Sequence, residues 1–209
     1  MKKTKQTELK KTLLPIAVQE VGVVQYPYDI DKEFEFIKTL DYEPANELSH
    51  QGNHNIKARV RTTVDKFILY MPEFKKLYEF FQEQVDDYVK EVLGSDKILK
   101  IGSSWIAKME QGTWTEPHTH ISVVNGCFYV NVPDNETPLT LDTYNCLNAR
   151  EDFSIAVKEK DLVLWDNDIS HWVPENKNKE TRYAIAFNTL PLSEFQHHIT
   201  LTNSLQKNK

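Results

Sequence analysis

LKIGSSWIAKMEQGTWTEPHTHISVVNGCFYVNV, residues 99–132, decides the fold. Its two ends, LKIGSSWIAKME (99–110) and SVVNGCFYVNV (122–132), are rich in β-branched and aromatic residues and are separated by a polar turn. PLTLDT (138–143), FSIAV (153–157), DLVLWD (161–166) and RYAIAFNTL (182–190) continue in the same character. Six such segments within about ninety residues predict an antiparallel sandwich or barrel rather than a parallel sheet with crossover helices.

Upstream the pattern changes. LLPIAVQEVGVVQY (13–26) reads as extended chain, and a short amphipathic helix follows with Asp31 as N-cap and Phe34, Ile37 and Leu40 at helical spacing. Residues 41–65 read as a loop with one strand near its end. Pro72 to Leu93 is the clearest helix: Phe74, Leu77, Phe81, Val85, Tyr88 and Val92 form one stripe, Pro72 suits the first turn and Gly94 the stop. The stripe is read as packing. The expected organisation is one α+β, mainly β domain over 1–209: a solvated arm (1–11), a strand and helices packing on the core (12–98), a β-core (99–192) and a tail (193–209).

With 25 Lys+Arg against 31 Asp+Glu, the net charge is −6, so no basic field recruits nucleic acid or an anionic membrane surface. No apolar run approaches the ~18 residues of a spanning helix. Two cysteines, Cys127 and Cys146, exclude a disulfide scaffold or a cysteine-built zinc site. A reducing cytoplasm is the expected compartment. The N-terminal strand and the long helix are the surfaces a homodimer would use.

Of the seven histidines, His50, His54, His197 and His198 lie in polar loop or tail sequence and read as solvated. His118 and His120 stand immediately ahead of a strand, where alternate residues of extended chain point to one face and the two imidazoles converge. Glu116 shares that face if the strand reaches back through Pro117. His171 follows a buried-looking strand and a tight turn in DLVLWDNDISHWVP. Two histidines and a third from a distant strand make an open metal site, for which iron, zinc, copper and nickel are all suitable. Arg182 opens a strand eleven residues after His171. Its guanidinium is either a structural ion pair or, if it enters the same barrel, a clamp for the far carboxylate of a dicarboxylate.

SSWIAKMEQG (103–112), PHTHISVVNGCFYV (117–130), KDLVLWDNDISHWVPEN (160–176) and RYAIAFN (182–188) together resemble the 2-oxoglutarate (2OG)- and Fe(II)-dependent oxygenases, in particular small bacterial and phage members. The resemblance implies a double-stranded β-helix, or jelly roll. It implies an enzyme that couples decarboxylation of 2-oxoglutarate to oxidation, here hydroxylation, of an unidentified protein side chain or small molecule. By the same resemblance His118 is the first metal ligand, His171 the distal histidine, and Arg182 the residue that binds the co-substrate's far carboxylate. The family's usual two-histidine, one-carboxylate triad has its carboxylate where this chain has His120. A three-histidine site is the favoured reading, with Asp142 or Glu116 as alternative sources of a carboxylate. Trp105, Trp165, Trp172, Phe128 and Tyr129 are candidates to line the pocket.

Two other classes compete. Gly112 followed by five residues and His118-Thr119-His120 fits the opening of a cupin motif, although Asn125, Asp166 and Asp168 break the remainder. A cupin-type dioxygenase would not use 2-oxoglutarate and would have no need of Arg182. A non-catalytic jelly-roll structural or adaptor protein would bind no iron at all.

Overall fold

DLVLWD is buried almost throughout, which a strand of a one-sided antiparallel sheet would not be. Its sheet is covered on both faces, by helices on one side and by a second sheet on the other. The computed structural model describes residues 20–45, 60–133, 137–144 and 150–195. In chain order the elements are β1 (Gly22–Gln25), α1 (Asp31–Thr39), β2 (Tyr42–Pro44), β3 (Arg61–Thr63), α2 (Lys75–Glu91) and β4 (Leu99–Met109). There follow β5 (Thr115–His118), β6 (Val124–Asn131), β7 (Leu139–Tyr144), β8 (Arg150–Ile155), β9 (Asp161–Asp166), β10 (Ser170–Val173) and β11 (Arg182–Pro191).

Seven strands form the major sheet in the order β1-β9-β6-β11-β4-β3-β2, and four form the minor sheet in the order β5-β10-β7-β8. The two antiparallel sheets face each other as a jelly roll, the double-stranded β-helix expected from the resemblance. Period-2 alternation divides each central strand between two cores. Leu162, Leu164, Phe128, Ile185 and Phe187 join the helix-side core with Ile37 of α1 and Leu77, Phe81 and Val85 of α2. Val163, Trp165, Tyr129 and Ala184 turn the other way, onto Leu139 and Leu141 of β7, in the space between the sheets. Packing on the helix side is tight. The Phe187 ring lies over Gly126 so closely that a Cβ there would stand 2.0 Å from it.

The α2 stripe is packing, as read from its periodicity. Phe74, Leu77, Phe81, Val85 and Tyr88 are buried and Val92 packs against the same core. The helix opens with a 3-10 turn, Pro72–Phe74, before the α-helical stretch, and Gly94 follows it at φ 57, a left-handed conformation that glycine takes without a Cβ clash. Asp31 is not the N-cap of α1. Ile30 occupies that position, and the Asp29 carboxylate accepts from the Asp31 N–H at 3.0 Å, so the capping oxygen comes from two residues upstream. The stretch 41–65 contains two paired strands, β2 and β3, rather than one; its residues 46–59, with His50 and His54, lie outside the described residues, as do His197, His198 and residues 13–19.

β5 and β10 are strands that the sequence does not announce. Each is four residues long and poor in β-branched side chains, and β5 contains a proline. Pairing with β10 holds β5 in place, and β10 is held on its other side by β7. Among the described residues no helix is long and apolar enough to cross a membrane.

Candidate active site

Register builds the site. In the β5–β10 ladder His118 and His171 are direct cross-strand partners. His120, two residues beyond His118, swings to the same side. The ring centroids of His118 and His171 are 4.4 Å apart, those of His118 and His120 4.8 Å, and those of His120 and His171 5.0 Å. One ligand atom from each of the three lies within 4.8 Å of the other two.

Local backbone contacts aim these rings. The His118 Nδ1–H donates to the Glu116 carbonyl oxygen at 2.7 Å, which fixes the tautomer and leaves Nε2 with its lone pair. The Nε2 atoms of His120 and His171 face each other at 3.2 Å. Two imidazole nitrogens bound at right angles to one ion at ~2.1 Å would stand ~3 Å apart. Burial keeps two of the rings, His120 and His171, neutral: desolvation, then the neighbouring His118, lowers His120 to about 4. Desolvation with His118 and His120 lowers His171 to about 2. Converging neutral imidazoles with free lone pairs are a donor set that fits a divalent transition metal. The carboxylates of Glu116 and Asp142 do not join this cluster. Asp142 pairs with Ser170, so alternation turns it away from the face that Leu141 and His171 share.

The cluster opens on a cavity of about 580 Å³ between the sheets. Space exists because the inward positions of β4 and β11 include alanines: Ala107 and Ala186 are wall residues. Trp105 and Trp165 also line it, with ring centroids 5.4 Å from His120 and 4.8 Å from His171 respectively. Phe128, Tyr129 and Trp172 are not wall residues; Phe128 belongs to the helix-side core by alternation, and Tyr129 to the core between the sheets. The Lys66–Glu43 ion pair, 3.2 Å, sits at the cavity's edge.

Arg182 is 2% exposed and shares the inward face of β11 with Ala184 and Ala186. It is not itself a wall residue of the cavity: Ala186, which is, lies four residues along the strand, roughly 13 Å. Its guanidinium lies over the Tyr129 ring, 5.0 Å from the centroid, and Nη1 meets the Met109 Sδ at 3.8 Å. Nε and Nη2 have no hydrogen-bond partner, and Arg182 forms no ion pair among the described residues. The ion-pair reading of this residue is therefore not what the fold provides. A buried, uncompensated guanidinium costs on the order of several kcal/mol and leaves donors matched to a carboxylate. The Tyr129 hydroxyl beside it is fully buried and unpartnered. Burial pushes that hydroxyl well above its usual value, with Arg182 pulling the other way.

Several wall residues escaped the sequence reading, among them Asn125, Asn188 and Cys127. Asn125 and Asn188 interrupt apolar strands at inward positions, and that interruption was the available signal. Cys127, read as a packed core thiol, is half-buried and faces the cavity, and burial raises its pKa.

Comparison with known proteins agrees with this geometry. Residues 103–188 match the family model described as Putative 2OG-Fe(II) oxygenase. No curated protein matches the chain by sequence. Among solved structures, a prolyl hydroxylase from Trichoplax adhaerens, in complex with a hypoxia inducible factor peptide fragment, superposes with TM-score 0.61 at 14% identity, covering 84% of this chain and 86% of that one. HygX from Streptomyces hygroscopicus, with nickel, 2-oxoglutarate and hygromycin B bound, gives TM-score 0.61 at 11% identity over 83% and 84% of the two chains. A Pseudomonas putida prolyl-4-hydroxylase gives 0.57 at 12% identity over 81% and 92%. At these identities the likeness establishes the shared fold.

Proposed function

We propose, for a chain whose residues 103–188 match the family model described as Putative 2OG-Fe(II) oxygenase, that it hydroxylates its substrate with iron held by His118, His120 and His171 and 2-oxoglutarate anchored by Arg182. The observation that carries this reading is the pairing of a three-imidazole cluster with a buried guanidinium that has no acid to answer it among the described residues.

Each residue has a task that follows from its surroundings. The Glu116 carbonyl orients His118, and the desolvated His120 and His171 stay unprotonated, so all three offer lone pairs to a cation. Three neutral ligands leave the dipositive charge of the ion uncompensated, which favours a dianionic co-substrate over a neutral one. Arg182 supplies the forked donors for the far carboxylate, and the Tyr129 hydroxyl beside it is placed to add one more. Trp105, Trp165 and the alanine-lined wall exclude water around the reacting groups. Bound iron and 2-oxoglutarate supply the oxidising chemistry; the protein contributes position and dryness. The substrate is a protein side chain or a small molecule that enters past Lys66 and Glu43.

Anaerobic titration with Fe(II) and 2-oxoglutarate tests this. A weak visible charge-transfer band that needs both additives is the expected result. Metal binding with no response to 2-oxoglutarate would transfer the protein to the cupin-type dioxygenases, and absence of metal binding would make it a non-catalytic jelly roll.

A further inference from the structure

The major sheet carries a second group of buried polar side chains, at the opposite end of its inner face from Arg182. Trp165, Asn125 and Asn188 lie side by side on three neighbouring strands: Trp165 is the register partner of Asn125 across β9–β6, and Asn125 that of Asn188 across β6–β11. Ser103 of β4 extends the row, its hydroxyl accepting from Asn188 Nδ2 at 3.2 Å. All four residues line the cavity.

This row is left unanswered by the protein. Asn125 is 1% exposed and Trp165 2%. Neither Nδ2 nor Oδ1 of Asn125 has a hydrogen-bond partner, nor has Trp165 Nε1, nor Asn188 Oδ1. Apolar side chains fill neighbouring inward positions of the same strands, as Val163 does two residues before Trp165 on β9 and Ala184 does on β11. The sheet therefore does not require these groups, and leaving them unpaired is costly.

Their chemistry selects the occupant. The row holds no charged side chain, so nothing in it would compensate a carboxylate or an ammonium. Trp165 offers a donor only, and Asn125 a donor and an acceptor together, whichever way its carboxamide is turned. A neutral group with an N–H beside a C=O satisfies such a row. Arg182 lies six residues from Asn188 along β11, roughly 20 Å of strand, so the co-substrate's far end is held elsewhere. The Trp165 ring, however, is 4.8 Å from that of His171, so a group held here adjoins the histidine cluster.

We propose that Trp165, Asn125 and Asn188 form a subsite that seats a carboxamide of the substrate, a peptide bond or a primary amide, beside the histidines. The inference rests on the oxygenase reading only in naming the occupant as substrate.

The test uses the full chain, 15N-labelled, and follows the tryptophan indole N–H resonances, with that of Trp165 assigned from Trp165→Phe. N-methylacetamide, propionamide, propionate and methyl acetate are titrated in turn. A saturable shift of the Trp165 signal by an amide, at least roughly tenfold tighter than by propionate or methyl acetate, is expected. The amide that saturates first tells peptide bond from primary amide. Asn125→Leu should weaken that binding roughly tenfold, and Asn188→Leu serves where the first variant does not fold. Equal response to propionate, no saturable shift with any probe, or unchanged amide binding in a folded variant each overturns the subsite. The Fe(II)–2-oxoglutarate band, read on the same samples, separates the two proposals. Its absence in the wild type alongside intact amide shifts condemns the oxygenase reading alone, whereas a weakened 2-oxoglutarate response in Asn125→Leu would assign the row to the co-substrate and overturn the subsite.

Discussion

The two faces of the major sheet follow different rules although the same strands supply both. On the helix side Phe128, Leu164, Ile185 and Phe187 meet Phe81 and Val85 without a gap, and the buried hydroxyl of Ser104 is satisfied by the Leu69 N–H at 3.0 Å. On the inner side the strands carry alanines, leaving a cavity, and the sheet's buried side-chain atoms without partners, among the described residues, belong to Asn125, Tyr129, Trp165, Arg182 and Asn188. One face lowers the free energy of the fold. The other holds polar groups at a cost of about 1–3 kcal/mol per unsatisfied atom, which a group bound in the cavity offsets. Period 2 lets a single strand serve both ends, since neighbouring residues never share a face.

This contrast can be broken deliberately. His171→Ala, on the inner side, should abolish the Fe(II)-dependent spectral response, a loss beyond the roughly 10–100-fold that removal of an outer-shell partner causes. Its melting temperature should barely move, so a response that survives would remove His171 from the metal site. Phe81→Ala should do the reverse. Deleting a fully buried ring stacked on Phe187 at 5.4 Å should cost about 3–5 kcal/mol in denaturant unfolding, while the metal response of the remaining folded protein persists.

Arg182→Met is the sharper probe, because it separates affinity from stability. Loss of charge-assisted hydrogen bonds should weaken 2-oxoglutarate binding by about 10–100-fold in calorimetry. The ligand-free variant should be no less stable than the wild type, since the substitution removes a buried charge that has no counter-ion among the described residues. A large drop in melting temperature would mean that Arg182 is structural after all. The smallest effect is expected of His120→Asp. If position 120 faces the metal, the variant retains or gains Fe(II) affinity, the anionic ligand replacing a neutral one; a folded variant that binds no iron excludes that position from the site.

Particular residues show how far the sequence reached. The spacing of Phe74, Leu77, Phe81, Val85 and Tyr88 identified the helix and its buried face, and the six β-rich segments announced an antiparallel core. The small strands β5 and β10 were not legible, because four residues with little β-propensity become strands only when neighbours supply their hydrogen bonds. Of the site, His118, His120, His171 and Arg182 were legible as candidates from their types and flanking strands. Asn125 was not, since a carboxamide interrupting an apolar run is a signal that acquires meaning only once its face is known.

The amino-acid sequence alone determined what depends on neighbours within a few positions: which of the longer apolar segments are strands, which is the long helix, and the acidic balance of the chain. Tertiary structure decided the rest. The β5–β10 register sets His118 opposite His171, about fifty residues away, and the β10–β7 register keeps Asp142 on the far face; Arg182, on β11 between β4 and β6, meets no acidic partner among the described residues. Propensity and period are local, whereas register is fixed by the packing of whole sheets, where a slip of one residue would send every side chain to the wrong side.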